Sequence, residues 1–186
     1  MTTTDAERHY TTAELEERLP MVDGTPADVG RVELVIRRPA EGRREVLDEA
    51  MLDLEHGVVG DRWSLGRSHG RPPNVKAQVT LMSARAAGLV AGSKERWPLA
   101  GDQLYVELDI SEANLPPGTR LAIGTAVVEV SDEPHTGCKK FVTRFGTDAM
   151  RFVNSPEGRA LRLRGMNTRI VEPGVVRPGD EIRKLG

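Results

Sequence analysis

The stretch Pro134-His135-Thr136-Gly137-Cys138-Lys139-Lys140-Phe141, continuing through Arg144-Phe145-Gly146, concentrates the groups most able to do chemistry. It holds the only cysteine of the 186-residue chain, with a histidine three positions before it and two lysines directly after. Thiolate is the reactive and metal-ligating form of cysteine, and nearby cations or a helix N-terminus stabilise it. A helix starting near Lys139 points its positive end at the sulfur, and Lys139, Lys140, Arg144 and His135 add positive charge. A lone cysteine is most often a small buried hydrophobe. The cationic neighbours of Cys138 argue instead for a reactive or ligating thiol.

Between Cys138 and Arg169 the chain carries eight cations: Lys139, Lys140, Arg144, Arg151, Arg159, Arg162, Arg164 and Arg169. Only Asp148 and Glu157 oppose them, although the whole chain has a net charge of −2. Any one of these arginines is explained by an ordinary solvated face. As a group they favour an anionic ligand, because guanidinium forks suit phosphates and carboxylates. Upstream, Asp61-Arg62-Trp63 follows Gly57 and Gly60. Asp61 reads as structural, while Arg62 also suits a phosphate. His56, His69 and the other histidines lack zinc-ligand spacing, and no GxSxG, GxGxxG or P-loop motif occurs.

Short elements must position these groups. The spacing predicts strands over Val32–Ile36, Val75–Leu81, Leu104–Ile110, Leu121–Gly124, Val128–Val130 and Met166–Val171, with Val175–Leu185 as a closing hairpin. A helix capped by Ser83 runs to about Ala91, and Thr147 or Asp148 caps another over Ala149–Val153. Thr11-Thr12-Ala13-Glu14 opens a short helix in an N-terminal extension, residues 1–28, ahead of a domain over 29–186. Ser64 to Asn74 reads as a mobile loop carrying Arg67, His69 and Arg71. Many short strands among 19 glycines and 12 prolines predict a mainly β protein, a closed or nearly closed β-barrel with a few short peripheral helices. The single cysteine, the polar N-terminus and the lack of a spanning apolar run set a cytoplasmic expectation, with no membrane and no nucleic-acid partner.

Gly57-Val58-Val59-Gly60-Asp61-Arg62-Trp63, His135 to Phe141, Arg144-Phe145-Gly146, Arg164-Gly165-Met166 and Gly174 to Asp180 together resemble the MOSC domain. This is the C-terminal domain of molybdenum-cofactor sulfurases, found also as stand-alone bacterial proteins. The resemblance spans roughly residues 29–185. It implies a barrel-like β fold and a bound molybdenum cofactor (molybdopterin). Cys138 would be the catalytic cysteine, carrying sulfur or ligating molybdenum through that cofactor. The candidate cofactor-binding residues are Arg62, His135, Lys139, Lys140, Arg144 and Arg164. Pyridoxal phosphate enters only through a partner cysteine desulfurase. Two departures stand out. Gly137 replaces a proline common before the cysteine, and Gly101-Asp102-Gln103-Leu104 stands where many members read Gly-Glu-Asn-Leu.

Three functions are therefore expected to compete. The first is a cofactor-binding or sulfur-carrier protein. The second is a molybdenum-dependent reductase of N-hydroxylated compounds working with a redox partner. The third, from another class, is a non-catalytic barrel that binds an anionic small molecule or a protein partner through Arg144–Arg169.

Overall fold

The structure, a computed structural model, describes residues 8–66 and 70–186. Arg67 and His69 lie outside the described residues, as does the polar start of the chain. Seven strands close into a barrel in the order β1 (Val29–Arg37), β6 (Leu104–Glu107), β5 (Val79–Ser83), β9 (Met166–Glu172), β8 (Ala126–Val130), β7 (Arg120–Ile123) and β11 (Glu181–Lys184), which returns to β1. A two-residue strand, β2 (Glu45–Val46), pairs outside β1, and β10 (Gly174–Val176), β3 (Ala50–Asp53) and β4 (Gly57–Val58) form a separate small sheet. The barrel is antiparallel except for β5 with β6. Those two are joined by helix α2 (Ala84–Ala91), whose N-cap is the predicted Ser83. The mainly β, closed-barrel expectation holds.

Closing the barrel gives it an interior core, while the helices bury a second core on its outer surface. Val32, Val35, Leu81, Leu104, Val106, Val128 and Ile182 belong to the first. Leu34, Ile36, Met82 and Tyr105 face the second, with α1 (Thr12–Arg18), α2 and α3 (Lys139–Asn154). Val32, Leu34 and Ile36 were expected on one face. A register shift between Val32 and Leu34 inserts Glu33 as an extra residue, so the alternation flips and β1 serves both cores.

Three sequence expectations change. Val75–Ala77 is a 3₁₀ turn, and the strand begins at Val79. The predicted closing hairpin does not form. β10 pairs with β3 while β11 pairs with β1 and β7, because Pro178-Gly179-Asp180 carries the chain from the small sheet back to the barrel. The helix after the cysteine begins at Lys139, as expected, and is interrupted at Gly146, whose φ of 91° and ψ of 167° are not helical. Only Gly146 departs from helical geometry, so Thr147 and Asp148, expected as caps, lie inside the second helical piece. Phe141, Phe145, Ala149 and Val153 bury the inner face of both pieces at four-residue spacing.

Residues 8–22 pack on this helical layer. Thr11 and Glu14 form the predicted capping box of α1, and Leu15 is fully buried. Thr12 N donates to Asp148 Oδ2 at 3.0 Å, Arg18 donates to the carbonyls of Gly88 and Leu89, and His9 rests against Gly146. We expect Leu15→Ala to cost about 2–5 kcal/mol of stability in chemical denaturation. An unchanged midpoint would show that α1 contributes nothing to the folded unit.

Candidate functional site

A cleft of about 670 Å³ opens at one end of the barrel, between the turn following β1, the turn at Arg62–Leu65, the segment entering β6 and the start of α3. Among the described residues it is lined by seven arginines and one lysine against a single carboxylate, Glu133. Cys138 lies at its edge, exposed and free, as the residue capping the N-terminus of α3. The loop that delivers it from β8 is fastened from both sides. Asn167 Nδ2 donates to the carbonyls of Glu133 and Pro134, and the Asn154 amide brackets Gly137. Gly137 N donates to Asn154 Oδ1 at 2.9 Å, a bond a proline there could not make, and a Cβ at 137 would come within 3.2 Å of Met150 and Val153. The glycine that departs from the common pattern is thus fixed by this chain's own packing.

The cationic wall is organised by four consecutive residues. The carbonyls of Leu99, Ala100 and Gly101 accept hydrogen bonds from Arg144, Arg164 and Arg38 in turn, at 2.8, 3.1 and 3.1 Å. Asp102 follows, fully buried, accepting from Arg164 Nη1 at 2.6 Å and meeting His135 Nε2 at 2.8 Å. Gly101 takes the left-handed conformation, φ +89°, at the end of the 3₁₀ helix Lys94–Ala100. A Cβ there would stand 3.6 Å from Arg144 and 3.7 Å from Arg44, so both guanidinium groups close over this glycine.

Two of these arginines are neutralised by carboxylates and two are not. Asp61 holds Arg38 through its backbone N, Nε and Nη2, and also caps Trp63 N, the structural role expected of it. Asp102 holds Arg164. Among the described residues, Arg44 and Arg144 make no ion pair. Burial pushes Arg44 below the usual arginine pKa, with help from Arg144 and Arg38. Burial likewise lowers Arg144, opposed by the nearby Cys138 and assisted by Arg164. Both remain cations, since arginine starts above 12. Arg44 Nε and Arg164 Nε are buried without a partner. Two adjacent half-buried cations without a carboxylate make a site for anionic oxygens.

The buried Asp102 would be raised by desolvation, but Arg164 and His135 together hold its carboxyl far below the usual range. Burial and then Arg164 lower His135, and the opposing pull of Asp102 does not overcome them. His135 is therefore neutral near pH 7, its Nε2–H donating to Asp102.

The sequence candidates divide in the structure. Arg62, His135, Cys138, Lys140, Arg144 and Arg164 line the cleft; Lys139 is exposed and is not among the lining residues. Lys140 also ties to Glu41 at 2.6 Å across the cleft mouth. The basic segment Arg144–Arg169 does not act as one surface. Arg162 donates to the carbonyls of Ile110 and Leu115, Arg169 pairs with Glu129, and Arg159 lines a second cavity of about 400 Å³ beyond His135 and Arg164. Sequence reasoning passed over Arg38, Arg43, Arg44 and Asp102. The cation-rich run Arg37-Arg38…Arg43-Arg44 was a usable signal for the first three. Asp102 had only its place in the departing Gly-Asp-Gln-Leu motif. Among the described residues no three His, Cys, Asp or Glu side chains gather into a metal site, so Cys138 is the one thiol the chain can offer a metal carried in by a cofactor.

Both Asp102 and His135 have depressed pKa values when folded, so each stabilises the fold above its unfolded value and loses that contribution as pH falls. The loss should begin below about 6.5 for His135 and below about 4 for Asp102. Melting temperature should fall as pH drops from 7 to 5, and His135→Gln should flatten that slope. Asp102→Asn should cost about 3–5 kcal/mol at pH 7 by leaving Arg164 buried without its carboxylate. A slope unchanged in His135→Gln would contradict the assignment of a neutral His135.

Solved structures share this architecture. The YuaD protein from Bacillus subtilis matches with a TM-score of 0.57 and 17% identity, over 83% of this chain and 94% of that one. YiiM from Escherichia coli matches with a TM-score of 0.55 and 19% identity, over 84% of this chain and 70% of that one. At these identities the likeness is one of fold. No curated protein matches the chain. The MOSC domain family matches residues 97–183, a span that contains the carbonyl fan, Asp102, His135, Cys138, Arg144 and Arg164. This stretch of the chain matches the MOSC domain.

Proposed function

We propose that the cleft binds a phosphate-bearing molybdenum cofactor of the molybdopterin type and presents Cys138 to its metal. The MOSC family is associated with this cofactor. The observation that carries the reading is the pair Arg44–Arg144, closed over Gly101 without a carboxylate and beside the only thiol. The donor set fits the group, since guanidinium forks suit a phosphate and an exposed thiol can ligate a metal. In this reading Arg44 and Arg144 hold the phosphate. Arg62 and Lys140 draw the anion in from the mouth. His135 and Arg164, locked by Asp102, form the floor. The N-terminus of α3 and Arg144 lie beside the Cys138 sulfur, which faces the metal. When bound, the cofactor would supply metal-centred two-electron chemistry of the kind needed to reduce N-hydroxylated compounds, with electrons from a redox partner.

One observation favours a second reading, sulfur carriage. Cys138 is exposed, so a partner desulfurase bringing its own pyridoxal phosphate could reach the sulfur without rearrangement of the fold.

Protein expressed with an intact cofactor pathway should copurify molybdenum and pterin. Cys138→Ala should lose most of the metal while retaining pterin. Arg44→Gln and Arg144→Gln should each lower pterin occupancy about tenfold or more, the scale of a lost charged hydrogen bond. Negligible molybdenum in both wild type and Cys138→Ala would count against the metal-ligand reading. Uptake of labelled sulfur from a desulfurase, absent in Cys138→Ala, would then favour the carrier. If pterin binding survives in Cys138→Ala and no thiol-dependent activity is found, the protein is an anion-binding barrel.

A further inference from the structure

The cleft has an outer wall that a monophosphate cofactor does not need. Trp63 lines it with its indole fixed: one face packs on Gly57, where a Cβ would come within 3.0 Å of the ring, and Nε1–H donates to the Asn74 carbonyl at 3.1 Å. Its N–H is therefore committed within the protein, and what the ring offers a ligand is its π surface. Arg62 precedes it; its charge reaches Glu41, but no carboxylate pairs with it among the described residues. A fixed aromatic ring beside a guanidinium without an ion pair can hold a flat base and the phosphate next to it. The inner pair Arg44–Arg144 accounts for one anionic group. Arg62 accounts for a second, placed outward.

We propose that the cleft recognises a nucleoside diphosphate group, with one phosphate at Arg44 and Arg144, the second at Arg62, and the base against Trp63. This deepens the cofactor reading above and rests on it: the natural ligand is a pterin cofactor extended by a nucleotide through a second phosphate, or a free nucleotide with the same group.

The test uses the full-length protein carrying Trp97→Phe, so that Trp63 is the remaining tryptophan of the two. Phosphate, pyrophosphate and the nucleoside diphosphates of guanine, cytosine and adenine are titrated by calorimetry and by Trp63 fluorescence. Pyrophosphate should bind more tightly than phosphate, and at least one nucleoside diphosphate about tenfold more tightly again, with quenching, as base stacking implies. Trp63→Leu should bring the nucleoside diphosphate down to pyrophosphate. Arg62→Gln should bring pyrophosphate down to phosphate. Arg44→Gln with Arg144→Gln should weaken all three. Equal binding of nucleoside diphosphate and pyrophosphate, or a gap that survives Trp63→Leu, overturns the proposal. Mass analysis of the copurified ligand separates its sources, and the two readings fail differently. A pterin monophosphate without the nucleotide preference overturns this inference alone. A nucleotide preference without any pterin supports the subsite and overturns the cofactor reading.

Discussion

The arrangement on which the site depends is the run of carbonyls at Leu99, Ala100 and Gly101, followed by the buried carboxylate of Asp102. Guanidinium groups gathered in a half-buried cleft repel one another, and repulsion grows as water is excluded. Carbonyl dipoles offset part of it without cancelling net charge, which leaves the cleft attractive to anions. Asp61 and Asp102 neutralise the two arginines that serve as framework, Arg38 and Arg164. The other two, Arg44 and Arg144, are left to a ligand. A fully neutralised wall would be more stable and would bind nothing.

The barrel and its helical layer keep that run rigid. Asp102 precedes β6, so the carboxylate is anchored where Leu104–Glu107 joins β1 and β5. The cysteine helix is held at its two halves by different means. Phe141 and Phe145 stack at 4.8 Å against the second core, while His9 and the bond from Thr12 to Asp148 fix the joint at Gly146. Arg96 links these parts, donating to the carbonyls of Arg8, Ala91 and Arg144. The N-terminal segment, which lies outside the family match, is thereby coupled to the residue that contacts the thiol electrostatically.

The family match and the local geometry contribute differently to the functional reading. The matched family brings the association with a molybdenum cofactor. The cationic wall, the glycine before Cys138 and the face of Trp63 come from this chain's own side chains. Gly137 is held by Asn154 and pressed by Met150 and Val153, so the departure from the common Pro-Cys pattern is compensated seventeen residues away.

What the sequence determined by itself is what depends on neighbours along the chain. The capping box of α1, the Ser83 cap, the short strands, the lone thiol ahead of a helix and the closed β architecture all rest on local periodicity and backbone preference. The bulge at Glu33, the separation of β10 from β11 and the break at Gly146 were not legible, because pairing across the sheet and packing of His9 decide them. The same holds for the site. Counting charge between Cys138 and Arg169 gathered Lys140, Arg144 and Arg164, which line the cleft, together with Lys139, which does not, and Arg162 and Arg169, which closure of the barrel sends elsewhere. Arg38 and Arg44 line the cleft, with Asp102 buried behind Arg164, only because β1 and β6 pair and bring their ends together. Charge can be read from one dimension, but its neutralisation cannot, since it depends on which carboxylate the fold brings within reach.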